Sequence, residues 1–564
     1  MRKLGWLISS CVLLALGSMA SAQNVPGLAQ ALSCDDNGAL CAEVYDPIGY
    51  GGRYTGHDEP SLLFYSGVPG SGNNMVYLMQ LPKEPPTPPK QDGSGGTFNY
   101  QLRPAFWLGM AMCADQSAPN PGGSKLTGPN IPCTPDSDSN IFDGIDPSAS
   151  DYIGKHPGSA FIEMQFYPPG SGVFFGCDLA HWCSALNIFS LSQNLNSGQN
   201  QNEACRDAAL GGIEYFNFAY ITKNGVPDGP PGPLLFKDST FTPTANTLLY
   251  NPGDVLRIGL QDTPNGLQIS IADLTSGDSG SMTASGKNGF AQILFDPNGT
   301  DCDPSTHNLP TDFHPMYATS SEHTRVPWTA HSYNIVFSDE LGHFEYCSSV
   351  KFEGGPCTST ASDDPPGPDD TICLSASFLA SFGLLPIGGC FASDVDFDGV
   401  PYQNNWPGTF TNPGHDQQLH PRPVLFTSPL FTNTSTNATE NYDRVAFEVN
   451  LPRIEFAINP PCQRGVSNPA DPNPGAGCVN PPAGAEFYPV FTTRGGDGSC
   501  TWQLGGTDIP GTKQTFGGTS TAEFGPLLEL AYPAIGGVSL RYNDFRQILS
   551  SNPCPSKGNI ASLD

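Results

Sequence analysis

The part of the sequence that most constrains the fold is a pair of alternating segments on either side of a turn. Residues 254–262 (DVLRIGLQD) and 267–273 (LQISIAD) place apolar residues at every second position, which puts them on one face of a β-strand. Residues 263–266 (TPNG) lie between them, and Asn-Gly between two alternating segments is typical of a β-hairpin. The sequence therefore predicts two antiparallel strands here.

Similar alternation predicts another strand at residues 160–167 (AFIEMQFY). Ile162, Met164 and Phe166 are expected on one face, with Glu163, Gln165 and Tyr167 on the other. Further strands are predicted at residues 213–222, 292–295, 332–337, 343–347, 444–450, 453–458, 487–492 and 501–504. A short helix is predicted at residues 375–385.

Composition supports a fold of short strands joined by turns. The chain contains 64 Gly and 56 Pro, residues that interrupt helices and form turns. Its 33 Phe, 19 Tyr and 6 Trp supply a core and argue against disorder. We therefore expect a mainly β protein, an antiparallel β-sandwich of jelly-roll type with a second, smaller β-rich domain.

The N-terminus has the three parts of a secretory signal peptide. Arg2 and Lys3 precede an apolar segment at residues 4–16, and Ala20-Ser21-Ala22 forms the cleavage site. The apolar segment is shorter than the roughly 20 residues that span a bilayer. Of the 17 Cys, Cys11 lies within this peptide, which leaves an even number for disulfides. The sequence predicts a secreted protein, extracellular or periplasmic, without membrane insertion.

A polar segment rich in Pro and Asp at residues 358–371 is typical of a linker. The predicted division is therefore a signal peptide at residues 1–22, a β-sandwich domain at 23–357, this linker, and a C-terminal β-rich domain at 372–564. The C-terminal part contains an Asp-rich loop at residues 394–399.

The charge balance limits the partners. Lys and Arg total 24 against 54 Asp and Glu, for a formal net charge of −30. Nucleic acids and anionic membranes are bound through clustered Lys and Arg, so neither is expected as a partner. Acidic, oxygen-rich loops suit calcium, and solubility outside the cell is the alternative explanation.

Residues 253–282, together with the strand at 160–167, resemble concanavalin-A-like jelly rolls. The shared pattern is Gly-Asp, a strand, Asn-Gly, a second strand and D-x-T-x-G, and the resemblance covers residues 160–350. It implies that acidic and polar residues on one strand line a concave cleft, as in glycoside hydrolases and lyases of that fold. The E-x-D-x-x-E sequence of one such hydrolase group is absent, because Gln165 stands where an acid is expected.

Glu163 is the leading candidate for a catalytic acid, with Gln165 beside it on the same face. Glycoside cleavage requires a second carboxylate about 5–10 Å away, and Glu340 and Glu345 are the candidates. Tyr167 is a candidate for substrate binding. So is Trp182, in a predicted small disulfide loop between Cys177 and Cys183, although a buried Trp is more common. The alternative for the Glu163 strand is an ordinary polar outer face.

The run Asp394-Val395-Asp396-Phe397-Asp398-Gly399 resembles the start of a calcium-binding loop. Alternate carboxylates at Asp394, Asp396 and Asp398 can converge on one cation, and the glycine permits a sharp turn. The twelfth position is Asn405 rather than the Glu of an EF-hand. The sequence therefore predicts a structural Ca²⁺ site of another kind, or an acidic turn without a metal.

Three functions remain open. The first is a secreted protein that acts on or binds polysaccharide. The second is a non-catalytic surface or matrix protein stabilised by disulfides and calcium. The third is an acid-active glutamic peptidase, because a Gln–Glu pair on a β-sandwich is similar to that family, although its Ala-Glu-Trp segment is missing. The segment Gly277-Asp278-Ser279-Gly280 matches the nucleophile tetrad of trypsin-like proteases but is predicted to be a turn.

Overall fold

The computed structural model describes residues 61–81, 83, 106–114, 158–169, 177–194, 199–315, 331–339, 344–358, 373–381, 388–391, 424–450, 490–495, 500–506, 528–534, 537–548, 552 and 554, with single-residue gaps inside some of these ranges. The predicted strand at residues 453–458 lies outside them.

The described strands, in chain order, are β1 (Ser61–Ser66), β2 (Gly70–Gln80), β3 (Phe106–Ala114), β4 (Gly158–Tyr167), β5 (Trp182–Leu191), β6 (Gln193–Asn194), β7 (Gln199–Asn200), β8 (Glu214–Tyr220), β9 (Leu249–Tyr250), β10 (Val255–Thr263), β11 (Gly266–Asp273), β12 (Ser279–Thr283), β13 (Ala291–Ile293), β14 (Asn308–Pro310), β15 (Phe313–Pro315), β16 (His331–Asp339), β17 (Phe344–Tyr346), β18 (Cys373–Leu374), β19 (Gly389–Phe391), β20 (Val424–Phe426), β21 (Leu430–Asn433), β22 (Thr439–Asn441), β23 (Arg444–Asn450), β24 (Val490–Gly495), β25 (Cys500–Gly506), β26 (Leu528–Ala534) and β27 (Gly537–Ile548).

Helices are short. The α-helices are α1 (Glu203–Ala208), α2 (Pro304–His307) and α3 (Ala376–Ser381), and the 3₁₀ helices span Asp238–Phe241 and Gly286–Asn288. The predicted helix at residues 375–385 corresponds to α3.

Two antiparallel sheets form the body of the protein. The larger has eleven strands, nine of them in the order β26-β27-β23-β1-β16-β3-β4-β5-β8, with β15 beside β3 and β9 beside β5. The smaller has nine strands, seven in the order β12-β11-β10-β2-β20-β25-β24, with β21 beside β2 and β22 beside β21. Small sheets are formed by β13-β14, by β17-β19-β18 and by β6-β7.

One apolar core lies between the two large sheets. Ile162 and Met164 of β4 share it with Tyr77 of β2, Leu260 of β10 and Ile269 of β11. Burial of a large apolar side chain contributes about 1.5–3 kcal/mol, so this shared core is the main reason that the sheets stay packed. The mainly β, antiparallel sandwich predicted from the sequence is confirmed, and its jelly-roll strand order stays a prediction.

The predicted hairpin is confirmed as β10 and β11. Thr263 pairs with Gly266 across a two-residue loop, Pro264-Asn265. Gly266 has φ +102°, and a Cβ there would lie only 2.4 Å from the Ala284 carbonyl oxygen. A glycine is therefore required for the chain to turn at this point.

Strands from both sides of the predicted linker belong to the same sheets. In the larger sheet β1 pairs with β23, Leu62 lying opposite Phe447. In the smaller sheet β2 pairs with β20, Tyr77 lying opposite Phe426. Strands that precede and follow the predicted linker therefore pair within both large sheets, and the division into residues 23–357 and 372–564 stays a prediction.

Three disulfides join described residues: Cys177–Cys183, Cys205–Cys302 and Cys347–Cys357. The second joins α1 to the segment before α2, 97 residues along the chain, and a cross-link of this kind contributes roughly 2–4 kcal/mol. These bonds are compatible with an oxidising compartment. Within the described part of the chain, no helix is long and apolar enough to cross a bilayer.

Candidate functional site

The strand β4 presents two different faces. Ile162, Met164 and Phe166 point into the core between the sheets. The outer face, turned away from the smaller sheet, carries Glu163 and Gln165. The period-two alternation predicted from the sequence is therefore confirmed, and it places the leading candidate residues on the outer surface of the larger sheet.

Four side chains on this outer face form a chain of hydrogen bonds, which we call the polar row: Glu163, Gln165, Tyr167 and Asn187. The Gln165 amide nitrogen donates to Glu163 Oε2 at 2.6 Å. The Gln165 amide oxygen accepts from the Tyr167 hydroxyl and from Asn187 Nδ2, the latter at 2.6 Å. Asn187 lies on β5 directly opposite Glu163 of β4.

Burial fixes the direction of these bonds. Gln165, Tyr167 and Asn187 are 8%, 0% and 2% exposed, so water cannot readily replace their partners. Two donors converge on the Gln165 oxygen, which leaves its NH₂ group to face Glu163. The Gln165 NH₂ group therefore points toward Glu163, while Asn187 Nδ2 also donates to the Tyr167 hydroxyl oxygen at 3.3 Å. Glu163 is the only member of the polar row that is partly exposed.

Aromatic rings border the exposed end of the polar row. Phe161, two residues before Glu163 on the same face, packs edge-to-face against Trp107 of β3, with ring centroids 5.8 Å apart. Gly109 lies opposite Glu163 on β3, and a Cβ there would be 2.6 Å from the Trp107 ring and 2.7 Å from the Phe161 ring. The missing side chain makes room for both rings. Trp107 is buried, whereas Phe161 is partly exposed.

The other end of the polar row is closed. Tyr167 packs against Phe218, whose ring contacts Phe241, and Phe241 contacts Phe236. The Cys177 sulfur lies 3.7 Å from the Tyr167 carbonyl oxygen. Among the described residues around the polar row, Glu163, Phe161 and Phe189, which lies opposite Phe161, are partly exposed. Tyr167 supports the row from within rather than at its exposed end.

Trp182 lies on the opposite side of the sheet. Its side chain is 0% exposed, belongs to the core between the sheets and packs against Phe106, with ring centroids 5.9 Å apart. The structure does not bring it together with Glu163. Trp182 is therefore a buried core residue, which was the alternative to a role in substrate binding.

A His–Asp pair lies in the same disulfide loop. His181 Nδ1 is 2.6 Å from Asp178 Oδ2, and both side chains are more than a third exposed. Partial burial pushes the pKa of Asp178 upward, but hydrogen bonds from the His181 side chain and from the backbone N–H groups of Ala180 and His181 outweigh it and lower that pKa. The pair fixes the loop and stands apart from the polar row along the β4–β5 strands.

Of the remaining predicted site residues, Glu340, Asp394, Asp396 and Asp398 lie outside the described residues. Glu345 lies in β17, opposite Cys390 of β19. The second carboxylate and the Ca²⁺ loop therefore stay predictions. Where side chains are described, no three His, Cys, Asp or Glu come together in a way that could hold a metal ion.

The turn predicted at the Gly-Asp-Ser-Gly segment lies just before it, at residues 274–276, and Ser279 and Gly280 belong to β12. Gly277 has φ +85°, and its N–H donates to the Asp273 carbonyl oxygen at 2.9 Å. Ser279 opens β12 at an exposed position.

Sequence reasoning missed Asn187, Trp107 and Gly109. Asn187 sits in WCSALNIFSL, an almost continuous apolar segment, and an amide within such a segment is the one local sign of a buried polar contact. Trp107 and Gly109 become recognisable only once the register of β3 against β4 is known.

No protein-family model matches the chain, and no curated protein matches it either.

Proposed function

We propose that this protein is exported from the cell and binds polysaccharide through the outer face of its larger sheet, at Glu163 and Phe161. The observation that carries the proposal is the direction of the polar row. The buried Gln165 amide donates to the partly exposed Glu163 carboxylate, and the Tyr167 hydroxyl and the Asn187 amide orient Gln165. A partly exposed aromatic ring lies next to Glu163 on the same face.

This combination suits a sugar. The hydroxyl groups of a sugar donate to a carboxylate, and hydrogen bonds to an ionised group are stronger than neutral ones. The C–H groups of a sugar ring pack against an aromatic side chain such as Phe161. A rigid strand holds both groups, which reduces the entropy lost on binding.

The charge of the protein narrows the class of polysaccharide. A chain with a formal net charge of −30 repels anionic polymers. Glu163 itself also accepts hydrogen bonds and does not donate them when ionised. The ligand is therefore a neutral polysaccharide, rich in hydroxyl donors.

Binding is better supported than cleavage. Cleavage requires a second carboxylate across the bond from Glu163. Within the part of the chain that the structure describes, the residues opposite Glu163 on the two neighbouring strands are Gly109 and Asn187, and neither is an acid. Hydrolysis depends on Glu340 or Glu345 as the second carboxylate, which stays a prediction.

One observation favours a second candidate, the acid-active peptidase. The Gln165 amide and the Glu163 carboxylate are in direct contact, and a Gln–Glu pair is the catalytic pair that the sequence suggested for this class. The burial of Gln165 places it behind Glu163 rather than beside it at the surface, so this candidate ranks second.

The test is retention of the mature chain on insoluble neutral polysaccharides: cellulose, chitin, xylan and starch. Glu163→Gln is expected to weaken retention by about tenfold to a hundredfold, because a hydrogen bond to a charged group contributes about 1.5–3 kcal/mol. Glu203→Gln is the matched control, since Glu203 is an exposed glutamate on α1.

Equal retention of the Glu163→Gln variant and the parent chain would contradict the proposed site. Casein cleavage at low pH that depends on Glu163 would favour the peptidase. A chain retained by none of the four polysaccharides and lacking peptidase activity would favour the structural surface protein.

A further inference from the structure

A second exposed aromatic residue lies far along the chain, in the loop closed by the Cys347–Cys357 disulfide. Phe352 is 60% exposed, more than any other large hydrophobic residue among those described. An isolated exposed apolar side chain is common on protein surfaces, so its significance depends on how it is held.

The loop around Phe352 is fixed at several points. Lys351 N–H donates to the Pro356 carbonyl oxygen at 2.9 Å, and Gly355 N–H donates to the Phe352 carbonyl oxygen at 2.8 Å. The Glu353 carboxylate accepts from the Ser375 N–H at 2.9 Å and from the Ser375 hydroxyl. The disulfide and these bonds hold the loop in one conformation before any ligand arrives.

The ring of Phe352 rests on a glycine. A Cβ at Gly355 would lie 2.6–2.8 Å from three ring carbons. One side of the ring is therefore supported by the backbone of Gly355, which is itself buried, while most of the ring remains exposed. A supported, exposed ring on a rigid loop is a platform on which a flat ligand can stack.

The residues around Phe352 and the charge of the protein indicate which class of ligand can stack on the ring. The residues beside Phe352 in the sequence, Lys351, Glu353 and Gly354, are exposed, and Phe352 is the only exposed large hydrophobic residue described in this loop. One aromatic side chain buries about 150–250 Å², whereas a stable protein interface needs about 800 Å² per partner. The net negative charge also opposes a second copy of the chain and an anionic membrane.

We propose that Phe352 is a second polysaccharide contact, on which one sugar ring of a neutral polysaccharide stacks. This inference rests on the proposed function and adds a contact separate from Glu163. Two contacts on one chain bind a long polymer more tightly than either alone, because the second binds as part of the same complex.

The experiment measures retention of the mature chain on cellulose, chitin, xylan and starch for four proteins: the parent, Phe352→Ala, Phe352→Trp and Glu163→Gln. Val226→Ala is the control, because Val226 is similarly exposed at 57%. Phe352→Ala is expected to weaken binding about tenfold, as the loss of one aromatic contact. Phe352→Trp is expected to retain it. With a soluble oligosaccharide of the retained polymer, the emission of Phe352→Trp is expected to shift relative to the parent.

Each outcome decides between the two proposals. Loss in Glu163→Gln with full retention of Phe352→Ala overturns the Phe352 contact and leaves the Glu163 site standing. Loss in Phe352→Ala with full retention of Glu163→Gln supports the platform and overturns the Glu163 site. A parent chain that none of the four polymers retains overturns both. Loss in Phe352→Ala without an emission shift in Phe352→Trp also overturns the stacking contact.

Discussion

The side chains of Asp254 and Asp273 are hydrogen-bonded to each other at the end of the β10–β11 hairpin opposite its turn. Both are nearly buried, at 4% and 1% exposure. Burial pushes the pKa of Asp273 upward, but donors on Ser276 and Thr275 outweigh it and lower that pKa. Burial, followed by the contact with Asp273, raises the pKa of Asp254 despite the donors on Asn251. The pKa of Asp254 therefore lies above its usual value, and that of Asp273 lies below it.

Asp254→Asn is expected to stabilise the protein at neutral and higher pH. A carboxyl group whose pKa is raised on folding contributes stability below its unfolded pKa, and that contribution is lost as the pH rises through the raised value. An asparagine amide donates to Asp273 at every pH, a gain of about 1 kcal/mol. Thermal unfolding of Asp254→Asn and of the parent chain between pH 4 and pH 8 measures this difference in stability.

Asp273→Asn is the matched comparison. Its NH₂ group would take the place of Oδ2, which accepts from the Ser276 hydroxyl, so it is expected to destabilise the protein by about 1–3 kcal/mol. Equal pH profiles for Asp254→Asn and the parent chain would show that the pKa of Asp254 is not raised on folding.

Tyr77→Phe is expected to leave stability unchanged or to raise it by about 1 kcal/mol. The Tyr77 hydroxyl is buried beside a small apolar cavity lined by Leu108, Met110 and Ile162, and no side-chain or backbone partner for it is described. Tyr250→Phe is the control, because the Tyr250 hydroxyl bonds to Ser184 Oγ at 2.9 Å. Urea unfolding should show Tyr250→Phe as the less stable variant, and the reverse order contradicts the assignment.

The candidate site was only partly predictable from sequence, for a physical reason. Alternation in β4 placed Glu163 and Gln165 on one face, because one side of that strand meets the core. In β5 no alternation is visible, because Trp182 and Ile188 face the core while Ala185 packs under the Tyr167–Phe218 cluster. A strand buried on both faces is apolar throughout, which concealed the role of Asn187.

Pairing between distant strands was also not predictable. The β10–β11 hairpin is local, so its turn residues specify its register. The contact between β1 and β23 joins segments nearly 400 residues apart, and only the complete core selects it. The predicted separation at residues 358–371 rested on composition alone, which carries no information about strand partners.

Asn187→Leu is expected to weaken polysaccharide binding although Asn187 is buried behind Glu163. It removes one of the two donors that orient the Gln165 amide, so the Gln165 NH₂ group is no longer held toward Glu163. We expect a loss of about 1–3 kcal/mol in stability together with weaker retention on the polysaccharide, measured on folded protein at low temperature. Unchanged retention would show that Gln165 does not depend on Asn187.

Gly109→Ala is expected to displace Trp107 and Phe161, because its methyl group would occupy the space of both rings. Overpacking of this kind costs about 1–3 kcal/mol. Tryptophan emission and polysaccharide retention measure the change. A variant with the emission and retention of the parent would show that the rings can move aside without affecting the site.

The most direct measurement of the central claim follows the Glu163 carboxyl carbon by ¹³C NMR, in a chain labelled at glutamate and assigned by the signal lost in Glu163→Gln. Titration with a soluble, neutral oligosaccharide should shift this resonance and saturate together with binding, while the Glu203 resonance stays in place. A Glu163 resonance that does not move while the oligosaccharide binds would contradict the claim that this carboxylate receives the sugar.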